Sequence, residues 1–75
     1  MDSKYITDRV KWIIASFVGV DAEDVDENMQ LSEFNLGEMD VMFLLEKIEE
    51  EFECSFDTHK FSPDSLVLQI INDAN

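Results

Sequence analysis

Residues 34–52 read Phe34-Asn-Leu-Gly-Glu-Met-Asp-Val-Met-Phe-Leu-Leu-Glu-Lys-Ile-Glu-Glu-Glu-Phe52, the densest helical pattern in the chain. At about 100° per residue, Val41, Leu44, Leu45, Ile48 and Phe52 fall on one face, which predicts a helix that packs a core and ends near Phe52. Asn35 stands three residues before Glu38, an Asn version of the capping-box spacing, and marks the predicted start. Met39, Met42 and Phe43, with Glu46 beside them, project to nearly the opposite side. This second apolar patch has two readings. Either Met39 and Phe43 fold beneath a neighbouring loop and join the core, or they stand exposed as adaptable contacts for a partner.

Upstream, Ile6, Val10, Ile13, Ile14 and Phe17 recur at helical spacing, with Asp2 or Ser3 as N-cap and Gly19 closing the run. This first helix carries Lys4, Arg9 and Lys11, three of the five basic residues. Trp12 lies off its main stripe and is expected to border the core. From Val20 to Phe34 no period is sustained, so a long ordered loop is predicted, pinned by Val25, Leu31 and Phe34. The acids of that loop do not make an EF-hand: counting from Asp21 or Asp24 finds neither Gly at the sixth position nor Glu at the twelfth. Loose binding of divalent cations by the acidic surface is what remains.

Downstream, Asp57 to Phe61 can make one helical turn. Ser62, Pro63 and Asp64 then spell an N-cap, an N1 proline and an acidic first turn, with Phe61 and Leu66 spaced as a hydrophobic staple. The last helix places Leu66, Val67, Ile70 and Ile71 inward and ends near Asp73. With no strand pattern and no repeat, the fold class is all-α: a small four-helix bundle with a long first loop and a short third helix.

Seventy-five residues make one small domain, residues 1–75, with a single core and little room for a deep catalytic pocket. Eighteen acidic residues against five basic ones give a net charge of −13, which excludes nucleic acid and anionic membrane as partners and favours basic proteins. At 45% apolar residues the chain is too hydrophobic for a disordered acidic tail. Cys54 is the sole cysteine, so no intramolecular disulfide forms, and its expected role is that of a small apolar side chain near a helix end. No signal-peptide pattern or membrane-length apolar run is present. The expectation is a soluble, whole, monomeric chain in the cytoplasm. His59 beside Lys60 has no placed Ser or Cys nucleophile, so it reads as a surface residue, and no catalytic or metal-ligating set is found.

The order of elements and the segment from Phe34 to Phe52 resemble the acyl carrier protein family. In that family an Asp-Ser-Leu-Asp motif opens the second helix, which ends in a Leu-Glu-Glu-x-Phe-like pattern, here Ile48-Glu-Glu-Glu-Phe52. The resemblance spans the whole chain as a pattern of helices and is specific over residues 34 to 56. In this register the family motif becomes Gly37-Glu38-Met39-Asp40. Glu38 therefore replaces the serine that would receive 4′-phosphopantetheine, and a carboxylate cannot form the same phosphodiester. No cofactor is expected. Ser32, six residues earlier, is the nearest other hydroxyl, but sliding the register to reach it turns the Ile48 to Phe52 face away from the core.

What the resemblance leaves is a recognition surface: the acidic second helix that carrier proteins present to basic patches on partner enzymes. Asp40, Glu46, Glu49 and Glu50 are the carboxylates for that role, with Met39, Met42 and Phe43 as apolar contacts. For any single carboxylate the plain alternative is a solvated helix face. Glu38 likewise has a structural reading, an acid favoured in a first helical turn. Its functional reading is a fixed negative charge where a carrier protein has its phosphate. The leading expectation is a binding module without an arm that meets carrier-dependent enzymes of fatty acid, polyketide or related biosynthesis, or regulates them. A working acyl or aminoacyl carrier modified at another serine is the second. An acidic mimic filling the basic groove of a nucleic-acid-binding protein is the third, and an enzyme is not expected.

Overall fold

The computed structural model describes residues 3–75, and among them the chain forms three α-helices connected through 3-10 turns, with no strand. The first helix, α1, spans Ser3–Val18 and buries Ile6, Val10, Ile13, Ile14 and Ala15. Ser3 is already helical, and Asp2, the other proposed cap, lies outside the described residues. Gly19 ends α1 with φ +82°, a left-handed conformation that costs an L side chain about 1–2 kcal/mol, and its N–H donates to Ala15 O at 2.8 Å.

The long connection to the second helix is held by the side chains expected to pin it. Val25 and Leu31 are buried and Phe34 is half-buried against the core. Its backbone is organised into two 3-10 turns, Ala22–Asp24 and Leu31–Phe34. It is also tied to a distant segment. Leu31 N–H donates to Ser65 O at 2.9 Å, Ser32 N–H to Pro63 O at 2.7 Å, Val67 N–H to Met29 O at 2.9 Å and Leu68 N–H to Glu27 O at 2.8 Å, around a single antiparallel bridge between Gln30 and Leu66. The last two bonds satisfy donors at the start of the final helix that have no partner within it.

The second helix, α2, spans Glu38–Phe52 and buries Val41, Leu44, Leu45 and Ile48, with Phe52 half-buried beside them. Its start corrects the sequence reading. The N-cap is Gly37, whose N–H donates to Asp40 Oδ2 at 3.1 Å, while Asn35 closes the preceding 3-10 turn in the left-handed region at φ 64°. Asn tolerates that conformation better than most residues, so its place is the end of one element and not the start of the next.

The short third helix expected at Asp57 to Phe61 is one 3-10 turn, Thr58–Lys60, capped by Asp57 Oδ1 accepting from His59 N–H at 3.1 Å. The described chain therefore has three α-helices, not four. The last, α3, spans Val67–Ala74 and buries Val67, Ile70 and Ile71, while Leu66 is a half-buried N-cap whose N–H is accepted by Gln69 Oε1 at 2.8 Å. Ser62, Pro63 and Asp64 do not start it. They form a separate turn in which Ser62 N–H donates to Ser65 Oγ and Ser65 N–H to Ser62 O, both at 3.0 Å. The proposed staple partner Phe61 instead meets Phe56 edge-to-face, with ring centroids 5.6 Å apart. Both α1 and α2 pack against α3 and against each other around one core.

Candidate functional site

With the core face of α2 turned inward, its other face is open. Met39 is 66% exposed, and Met42 and Phe43 are each 49% exposed. Of the two placements the sequence allowed, the one beneath the loop is not adopted; from the connection before α2 it is Phe34 and Leu36 that pack against the core. Residues three and four apart are neighbours on a helix surface, so Met39 touches the positions of Met42 and Phe43, and Phe43 leads to Glu46 and then Glu50. The result is a stripe with an apolar first half and an acidic second half.

The structure separates the carboxylates that the sequence grouped together. Glu38, Glu46 and Glu50 are exposed and have no hydrogen-bond or ion-pair partner among the described residues. Asp40 is the helix cap described above. Glu49 is half-buried, and its Oε2 accepts the Phe56 N–H at 2.7 Å, which makes it a fastener of the chain after α2. Glu51, which sequence reasoning passed over, bonds Arg9 of α1 through Arg9 Nη2 at 2.9 Å. An i to i+42 pair has no local signature, so only the tertiary fold reveals it.

Two depressions flank the open face. At its start, a cleft of about 300 Å³ is lined by Glu38, Val41 and Met42 of α2 and by Thr58, His59, Phe61 and Ser62. On the α1 side, a groove of about 630 Å³ is lined by Trp12, Ile13, Ser16 and Phe17 of α1 and by Lys47, Glu50 and Glu51 of α2. Trp12, expected at the border of the core, is 52% exposed on the wall of this groove. The Arg9 guanidinium lies 4.7 Å from its ring centroid.

Hydroxyls near Glu38 are few. Ser62 lines the same cleft, but its Oγ accepts from Asp64 N–H at 3.2 Å and Ser65 is buried; Ser32 is exposed in the 3-10 turn before α2. The Cys54 thiol is pushed above its ordinary pKa, first by burial and second by the negative charge of Glu49, so it is a poor nucleophile. Among the described residues no three His, Cys, Asp or Glu side chains gather as metal ligands, and no helix is long and apolar enough to cross a membrane. No protein-family model matches this chain, and a search of curated proteins finds no relative.

Proposed function

We propose that this chain is a carrier-protein-like binding module without an attachment serine, which acts through contacts of α2 with a basic partner protein. The partners of this reading are carrier-dependent biosynthetic enzymes, and the chain itself performs no catalysis. The carrying observation is the exposure of Met39, Met42 and Phe43 together, at helical spacing, on a helix whose other face fills the core. Two thioethers and an aromatic ring in water are a standing cost that a partner's surface relieves. Glu46 and Glu50 continue the stripe as free carboxylates suited to Lys or Arg on that partner.

Glu38 fits the same reading. It opens α2 at the edge of the 300 Å³ cleft and holds a negative charge at the helix position where the resemblance puts a carrier's phosphorylated serine. A partner site shaped for the modified form then meets a charge without an arm. The departure from a four-helix pattern is confined to one 3-10 turn, Thr58–Lys60, on the far side of that cleft.

The test is intact-mass spectrometry after incubation with coenzyme A and a broad-specificity phosphopantetheinyl transferase. The natural chain is expected to keep its mass, and the Glu38→Ser variant to gain one 4′-phosphopantetheine. Adding Met39→Ala and Phe43→Ala to that variant is expected to slow the transfer strongly while leaving the helical signal intact. Modification of the natural chain would mean a working carrier that uses another serine. A Glu38→Ser variant that stays unmodified would remove the carrier-like reading of α2.

A further inference from the structure

Two of the chain's four methionines, Met39 and Met42, stand exposed on the outer face of α2, one helical turn apart. With Phe43 they supply the apolar half of its stripe. We propose that Met39 and Met42 form an oxidation site for peroxides, and that their conversion to sulfoxides switches this face from apolar to polar and weakens docking through it. The modification site stands on geometry alone; its effect on docking rests on the reading of α2 as a docking face.

Thioether oxidation needs an open sulfur lone pair and no ionisation. The lone pair attacks one oxygen of the peroxide, and the S–O bond forms as the O–O bond breaks. The second oxygen departs as hydroxide and takes the proton from the first, leaving water. Sulfur loses two electrons and the peroxide gains them. A flexible apolar side chain thereby becomes a polar one, which disrupts methionine-rich contacts, and methionine sulfoxide reductases reverse the change with a thiol reductant. With both thioethers oxidised, Phe43 is the one large apolar side chain still exposed on α2.

Placement makes the pair selective. Met29, the other methionine among the described residues, is half-buried in the long connection, and its Sδ accepts the Asp26 N–H at 3.4 Å. Its carbonyl also accepts the Val67 N–H at the start of α3, so oxidation there would strike a structural tie. Met39 and Met42 lie outside the core, which α2 fills from its other side with Val41, Leu44, Leu45 and Ile48. A sulfoxide at either position extends into water and leaves that packing in place. The fold thus puts its most accessible thioethers where oxidation changes the surface and spares the structure.

The experiment uses the full chain with Cys54→Ala, so that no thiol competes for the oxidant. After treatment with hydrogen peroxide and its removal by catalase, peptide mapping is expected to find one oxygen on Met39 and one on Met42 before Met29 gains any, with Met1 read separately. Retention of the native chain on a phenyl matrix is expected to fall, while helicity is kept and the melting temperature stays within about 4 °C. The two stereospecific methionine sulfoxide reductases with dithiothreitol are expected to restore retention, and Met39→Leu with Met42→Leu to abolish the response to peroxide. In the Glu38→Ser background, the oxidised chain is expected to accept 4′-phosphopantetheine about fivefold or more slowly than the reduced one. Oxidation of Met29 as fast as the pair, unchanged retention, or loss of helicity on oxidation overturns the site. Equal transfer to the reduced and oxidised chains overturns its effect on docking. A reduced Glu38→Ser chain that accepts nothing overturns the carrier-like reading instead, and mapping and retention then decide the site by themselves.

Discussion

The Glu49 carboxylate, in the last turn of α2, accepts the backbone N–H of Phe56 at 2.7 Å, and so folds the chain that leaves α2 back onto the end of that helix. Phe56 is buried there against Phe61. Glu49→Ala strands this N–H in a part-buried place, and the expected loss is about 1–3 kcal/mol in urea unfolding. Glu49→Gln keeps an acceptor and loses less. Glu50→Ala, one residue on and without a partner, stays within about 0.5 kcal/mol.

Asp40 and Glu38 share the first turn of α2 and do different work there. Asp40→Ala removes the acceptor for Gly37 N–H and is expected to cost about 1 kcal/mol. Glu38→Ala loses only the favourable interaction of an exposed acid with the helix start, roughly 0.3–1 kcal/mol. In the carrier-like reading Glu38→Ala weakens partner binding well beyond that effect on stability. Equal small losses in unfolding and in binding reduce Glu38 to a helix-start charge.

The difference between Asp40 and Glu38 also marks what the sequence can and cannot reveal. The core face of α2 and the stripe of α1 follow from apolar spacing, because burial on a helix is a property of periodicity, while the pins Val25 and Leu31 follow from being apolar side chains in an otherwise acidic loop without a period. The helix starts are another matter. Asn35 with Glu38 and Ser62 with Pro63 both carry good capping chemistry, yet the helices begin at Glu38 behind Gly37 and at Val67 behind Leu66. Three caps, Gln30, Gly37 and Leu66, use the same device, an N3 side chain that accepts the cap's own N–H. Without a Ser, Thr, Asp or Asn at the cap, that device leaves a faint local signal. The late start of α3 comes from long-range bonds to Met29 O and Glu27 O, which no local pattern encodes. At the candidate site, the projection located the open face of α2 correctly as a face. It did not separate Glu49 from Glu46 and Glu50, because that depends on where residue 56 returns.

Glu53 ends α2 in the left-handed region at φ 52°, with its N–H bonded to Glu49 O. A glutamate in that conformation is disfavoured by about 1–2 kcal/mol against a residue without Cβ. Glu53→Gly keeps the cap geometry, removes the strain and takes one negative charge from the crowded end of α2. The expected gain is up to about 1 kcal/mol, offset in part by the greater unfolded-state entropy of glycine. Thermal unfolding of the single variant checks the sign, and a lower melting temperature contradicts it.

Cys54, half-buried beside Glu49, keeps its proton at pH values where an ordinary thiol ionises. Alkylation by iodoacetamide near pH 8 is expected to run slower than for free cysteine, and Glu49→Gln is expected to speed it by removing the adjacent charge. The sign for stability follows. A folded pKa above the unfolded one gives a contribution fully present below the ordinary thiol range and lost as pH rises through the raised value. Cys54→Ala is therefore expected to flatten the alkaline limb of the stability curve. An alkylation rate equal to that of free cysteine at every pH contradicts the raised pKa.

Salt should stabilise this fold, because repulsion outweighs pairing on its surface. The chain has eighteen carboxylates, while the ion pairs within 4 Å among the described residues are Lys4 with Asp8 and Arg9 with Glu51. Screening shortens the reach of every surface charge to about 10 Å at 0.1 M salt, so it removes far more unfavourable terms than favourable ones. For a domain of this size each kcal/mol moves the melting temperature by roughly 4–8 °C. Raising NaCl from low millimolar to a few hundred millimolar is expected to raise that temperature by several degrees. Magnesium at equal ionic strength is expected to add to the rise by loose association with the acids of residues 21–27 and of α2. A melting temperature indifferent to both salts would show that the folded chain spreads its charge no less well than the unfolded one.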